Sequence, residues 1–190
     1  MDEIRRRILT GVAAAATLAA GPSRATDDEG FDPIPPLPAK PRAGKPGDFD
    51  FLAGEWRIRH RMLTAKGWIR FEGEATCWTI LKGVGSVEEL RIPARDFSGM
   101  GLRMLDLEAG VWSDFWVNGK SGVLTSPGQL GSFENGAGIF CSDYEQDGKP
   151  MKSVGVWDQI GARGCRWRQA SSADGGKTWD QNWIMDWRKA

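Results

Sequence analysis

The chain is 190 residues long and carries 25 basic and 25 acidic residues, for no formal net charge. That length suits one domain with appendages, and without a basic excess there is no electrostatic footprint for nucleic acid. Ten Trp stand against one Tyr and one His; indoles bring large apolar area with a single N–H, so a core or cavity lined with them is expected.

Residues 1–25 read as an export signal. Arg5-Arg6-Arg7-Ile8-Leu9 precedes an uncharged run from Thr10 to Ala20, and Ser23-Arg24-Ala25 has the small-x-small form of a cleavage site. The run is too short for a stable membrane anchor, so no stable membrane insertion is expected after cleavage. Two arginines, any residue, then Ile-Leu resemble a twin-arginine signal, and an ordinary secretory signal fits equally well. Both place the mature protein in the periplasm or outside the cell. Residues 26–47 carry Pro33, Pro35, Pro36, Pro38, Pro41 and Pro46, which favour extended polyproline conformations, and read as a solvated tether.

Residues 48–190 form the folded domain. Trp56, Ile58, His60 and Met62 alternate with Arg57, Arg59 and Arg61, the period-two pattern of a strand with one buried face. Further strands are expected at 68–80, 84–92, 98–107 and 111–118, a shorter one near 121–126, then 137–144, 151–158, 163–170 and 181–188, separated by turns such as Asp147-Gly148-Lys149-Pro150. The expected fold class is therefore all-β: a closed antiparallel up-and-down barrel of about ten strands. Pairing the first two strands across Ala65 and Lys66 sets His60 opposite Phe71 and Trp56 opposite Ala75. Ile69, Phe71, Gly73, Ala75 and Cys77 then face inward, and the next hairpin adds Ser86, Glu88, Leu90 and Ile92. Two hairpins agreeing on one inside fix the register.

With these residues placed, the chain resembles the calycins, the lipocalin and fatty-acid-binding barrels, through Gly54-x-Trp56 on the first strand and Arg188 on the last. The resemblance is closer to an uncharacterised bacterial group of lipocalin-like domains, through FDFLAGEW at 49–56, Glu134-Asn135-Gly136, and SSADGGKTWDQNWIMDWR at 171–188. It covers residues 47–189 and implies a fold rather than an activity. It also implies that Arg188 packs across Trp56 beside Gly54 to close the barrel. Separately, Ser172-Ala173-Asp174-Gly175-Gly176-Lys177-Thr178-Trp179 matches the Asp-box of β-propellers; a single copy reads as a hairpin device, with Ser and Asp capping turn amides and Trp packed beneath.

Candidate site residues follow from the inward face. His60, with Met62 nearby, points into the barrel, where a neutral imidazole serves as hydrogen-bond partner or general base. No second histidine exists to complete a metal site. Haem-binding barrels of this type use a histidine on a late strand, which this chain lacks, so no metal or cofactor is expected. Glu88 is opposite Cys77, six residues along the strand from the His60 partner Phe71, or roughly 20 Å, which excludes a His60–Glu88 dyad. Arg103 pairs with Asp114, flanked by Leu105 opposite Trp112 and Gly101 opposite Trp116. If that face is inward, a charged pair between two indoles would orient a polar ligand head; if Met100, Leu102, Met104, Phe115 and Val117 face inward, it is a surface ion pair. Cys77, Cys141 and Cys165 are expected to be mostly reduced, Cys141 and Cys165 being about 10 Å apart across an intervening strand.

The functional expectation is an exported binding module holding a small apolar or aromatic molecule in its barrel, with His60, Met62, Glu88, Arg103, Trp112, Asp114 and Trp116 as ligand-binding residues. The alternatives are a cofactor-free isomerase, cyclase or hydrolase in the same cavity, and a filled barrel with a structural role.

Overall fold

Strict alternation along Trp56–Met62 gives the first strand one apolar face, and that face needs a surrounding sheet to bury it. The structure, a computed structural model, describes residues 32–41 and 43–190; the export signal expected at 1–25 lies outside the described residues. Ten strands surround the core: β1 (Gly54–Thr64), β2 (Gly67–Ile80), β3 (Gly85–Ile92), β4 (Phe97–Asp106), β5 (Val111–Asn118), β6 (Gln129–Glu134), β7 (Ala137–Gln146), β8 (Lys149–Gly161), β9 (Gly164–Ser172) and β10 (Asp180–Lys189). Each pairs with its sequence neighbours, and β10 returns to β1, closing an up-and-down antiparallel barrel. The expected register holds: His60 is opposite Phe71, Trp56 opposite Ala75, Cys77 opposite Glu88 and Arg103 opposite Asp114.

One strand is not where the sequence places it. At 121–126 there is only a Val117–Leu124 bridge, with Val123 and Leu124 exposed. The strand is β6, beyond Pro127 and Gly128. Its alternation is masked because the inward position 131 is a glycine: a β-carbon there would stand 2.5 Å from Cδ1 of Phe140. The barrel thus seats a large ring beside a residue without a side chain, and the hydropathy signal of that strand is lost.

One end of the barrel is solid. A 3₁₀ turn at Asp50–Leu52 sends Phe49 and Leu52 inside, both buried. Phe49 meets Trp112 and Phe133 edge-on, at 4.9 and 4.8 Å between ring centres, a favoured aromatic geometry. Trp56, Trp157 and Trp187 complete this floor, all fully buried.

The closing cation is Lys189, not Arg188. Trp56 pairs across β1 and β10 with Lys189, whereas Arg188 pairs with Arg57 on the solvent-facing side. Successive strand residues point to opposite faces, so only Lys189 shares the face of Trp56; its Nζ lies 4.0 Å from the ring centre and donates a hydrogen bond to the Ala53 carbonyl. Gly54, at φ +116°, leaves room for that ammonium: a β-carbon there would stand 3.2 Å from Nζ. Trp56 Nε1 donates to the Leu52 carbonyl at 2.6 Å, tying the floor to the first strand.

The proline-rich tether is a strap over its described length. Ile34 and Leu37 pack on Val154, Val156 and Ala170, the outer face of β8 and β9. Arg166 donates to the Asp32 carboxylate at 2.5 Å and Arg168 to its carbonyl at 2.6 Å. Two fully buried valines on an outer face need a cover, each gaining about 1.5 kcal/mol or more from it. No helix among the described residues is long and apolar enough to cross a membrane.

Candidate functional site

The opposite end of the barrel is built differently. Its inward side chains Met62, Ile69, Phe71, Asp114, Trp116 and Trp183 are half-buried rather than sealed. His60, on β1, is the boundary between the two halves and is 1% exposed. Its ring stacks on Phe71 at 4.6 Å and 11°, and the Arg95 guanidinium lies over the same Phe71 ring at 4.7 Å. His60 Nδ1 accepts a hydrogen bond from Trp183 Nε1 at 3.2 Å. An indole only donates, so the neutral imidazole carries its proton on Nε2. That Nε2 is buried with no hydrogen-bond partner among the described residues. Gly73 makes the space it occupies, because a β-carbon there would stand 2.5 Å from Nε2. Burial, aided by the Arg95 charge, holds the His60 pKa down at about 4, so the ring is neutral near pH 7.

Arg103 faces inward, through β4 positions Gly99, Gly101, Arg103 and Leu105, all buried. Its Nη2 donates to Glu88 Oε2 at 2.6 Å, and its Nε lies 3.4 Å from Asp114 Oδ1. The guanidinium is not between Trp112 and Trp116 as the strand pairing suggested. It stands between Phe49 and Trp157, 5.2 and 5.4 Å from their ring centres. Gly101 opens that route, since a β-carbon would stand 3.0 Å from Nη2. Side-chain exposure is 2% for Glu88, 5% for Arg103 and 17% for Asp114, so Asp114 is the member that a solute can reach. Burial raises the Asp114 pKa to about 6 against the pull of Arg103. Burial acts against the Arg103 cation, but Asp114 and Glu88 outweigh it and raise its pKa.

One other expected site residue separates from this group. Trp112 is fully buried in the floor, its Nε1 donating to Asp48 Oδ2 at 3.1 Å, so it is core rather than ligand wall. Glu88 is engaged by Arg103 and His60 by Trp183, so the two form no dyad. Trp116 lies over Gly99, where a β-carbon would stand 2.2 Å from its Cζ2. Trp167 and Trp183 meet edge-on at 5.9 Å.

Sequence reasoning missed the polar residues of the far wall: Gln129, Ser142, Ser153, Gln169 and Ser171, all half-buried. Their signal is present as inward parity in β6 to β9, but small polar residues at inward positions look like a solvent face. Among the described residues no three His, Cys, Asp or Glu side chains gather as a metal site. All three cysteines are free; burial pushes the Cys165 thiol up to about 12 and raises Cys77 as well. The Asp-box segment is a hairpin device: Ser172 Oγ accepts from Gly176 N at 2.8 Å, and Asp174 Oδ1 accepts from the Lys177 and Thr178 amides, both at 3.0 Å.

Compared with protein-family models and with curated proteins, the chain matches none.

Proposed function

We propose that this protein is an exported, calycin-like carrier that holds a small, largely apolar or aromatic molecule in the half-buried end of its barrel. The observation that carries the reading is the His60 Nε2–H: a buried donor on a neutral ring, without an acceptor, beside the Trp183 indole. An unpaired buried donor costs about 1–3 kcal/mol, and an acceptor atom on a bound molecule would recover part of that. Asp114 and Trp116, half-buried on the wall beyond, are further contacts in this reading, and Met62 lies at the rim. Glu88 acts through Arg103 rather than by touching the ligand. Export rests on Arg5-Arg6-Arg7 and the short apolar run after them, and the calycin likeness on Gly54-x-Trp56 within a ten-strand closed barrel.

Native mass spectrometry of the purified protein tests this directly. The expected result is a retained small mass whose occupancy falls in His60→Ala. A protein with no retained mass, and with indole fluorescence unmoved by aromatic probes, would leave the filled barrel as the better reading. A cofactor-free enzyme is the second reading, favoured by Asp114: a reachable carboxyl with a pKa of about 6 is poised to move a proton near neutral pH. Asp114→Asn would then abolish turnover while weakening binding far less.

A further inference from the structure

The half-buried end of the barrel is chemically two-sided. Its β1 to β4 wall presents Met62, Ile69, Phe71 and Phe97, all apolar and half-buried. The β5 to β9 wall presents Asp114, Gln129, Ser142, Ser153, Gln169 and Ser171, with Trp116 and Trp167 among them. These polar groups are not loose. Gln129 Nε2 donates to Ser142 Oγ at 3.3 Å and to Ser153 Oγ at 3.2 Å. Gln169 Nε2 donates to Asn182 Oδ1 at 3.2 Å, and Asn182 Nδ2 donates onward to Ser171 Oγ at 3.1 Å.

Because its amide nitrogen is occupied, Gln129 turns its oxygen toward the interior. A β-carbon on Gly155 would stand 3.4 Å from Gln129 Oε1 and 3.2 Å from Trp167 Nε1. One acceptor and one donor therefore lie close over Gly155, whose lack of a side chain lets both approach the strand. A hydrocarbon in this half would desolvate both and bond neither, which is unfavourable. The one charged group among these wall residues is the Asp114 carboxyl. The nearby Arg103 is already ion-paired to Glu88 and Asp114, and Arg95 lies on the apolar side, over Phe71, so the polar wall itself offers an anionic head group no free cation.

Resting on the carrier reading above, we propose that the ligand is an uncharged ring compound, apolar on one side, with at least two neutral hydroxyl or carbonyl groups along the opposite edge. The apolar side lies against Phe71 and its neighbours, and the polar edge meets Gln129 Oε1 and Trp167 Nε1.

A matched probe series tests the class. Naphthalene, 2,3-dihydroxynaphthalene and 2-naphthoate share one ring and differ only at its edge. Each is titrated into the full chain at pH 7, read by indole fluorescence and calorimetry. The diol is expected to bind at least tenfold more tightly than either of the others. Gln129→Ala should bring its affinity to within about threefold of naphthalene without moving naphthalene itself. Gly155→Ala, which crowds Gln129 Oε1 and Trp167 Nε1 out of place, should weaken the diol more than naphthalene; circular dichroism on both variants separates lost contacts from lost fold. Equal binding of diol and naphthalene, or tightest binding of the naphthoate, overturns this ligand class and leaves the carrier reading standing. Binding of none of the three overturns the proposal, and if no mass is retained on purification the carrier reading falls with it.

Discussion

Lys189 Nζ stands 4.0 Å from the centre of the Trp56 ring, while its neighbour Arg188 faces solvent opposite Arg57. The closing contact is thus set by strand parity, not by which basic residue has the better cation. Lys189→Ala should destabilise the barrel by about 1 kcal/mol, typical of an exposed cation–π pair, and Arg188→Ala should change it by less than about 0.5 kcal/mol. Urea denaturation of both variants checks this; a larger loss in Arg188→Ala would reverse the assignment.

Arg103 and Glu88 form a sealed pair, and removing one partner alone should be severe. Arg103→Met leaves the Glu88 carboxylate buried and uncompensated, at a cost of about 3–5 kcal/mol. Adding Glu88→Leu should restore most of that loss. A double variant no more stable than Arg103→Met would show that the guanidinium acts through its packing between Phe49 and Trp157 instead.

His60 and Asp114 give the barrel opposing responses to acid. His60 has a folded pKa near 4, below its usual 6.5, so its contribution to stability is full above about pH 6.5 and is lost as pH falls toward 4. At about 1.4 kcal/mol per unit the loss is roughly 3 kcal/mol at most. Asp114 has a folded pKa near 6, above its usual 3.8; its contribution is present at low pH and is lost as pH rises from about 4 to 6. Between pH 7 and 4.5, His60→Leu should therefore lose less stability than the native protein, and Asp114→Asn should lose more. Parallel pH profiles for all three would refute the burial assigned to these groups.

Gly73 is the residue that admits His60. A β-carbon there would stand 2.5 Å from Nε2, so Gly73→Ala should cost about 1–3 kcal/mol by overpacking and should break the bond from Trp183. The matching signature is a shifted Trp183 indole resonance, absent from the spectrum of Gly161→Ala, where a β-carbon would meet nothing nearer than the Gly164 carbonyl at 3.9 Å.

Much of the barrel was legible because alternation is strict where the outer face is charged. Arg57, Arg59, Arg70, Glu72 and Glu74 are all exposed, so the inside of β1 and β2 is unambiguous, and with it the place of His60. β4 offered no such contrast. Its outward Met100, Leu102 and Met104 are half-buried, while its inward face holds Gly99, Gly101 and Arg103. Hydropathy alone therefore left the direction of Arg103 open. The two glycines are inside because Trp116 and the guanidinium need their volume, a three-dimensional requirement with no period-two signature. The strap was hidden likewise: its prolines describe a backbone preference, whereas its docking depends on the apolar outer faces of β8 and β9.

Pairing Trp56 with Lys189 also has a consequence for how the chain acquires its fold. The barrel cannot close until its final strand is available, so β1 presents an open edge throughout synthesis. Contacts between the two ends of a domain are the slowest kind to form, and barrels rich in them fold in milliseconds to seconds. An unpaired edge over that interval invites pairing with other chains. β1 meets that hazard with Arg57, Arg59 and Arg61 along one side of its edge, like charges that repel a second copy of the same strand. Until β10 arrives, that arginine row disfavours pairing with another copy of the same edge.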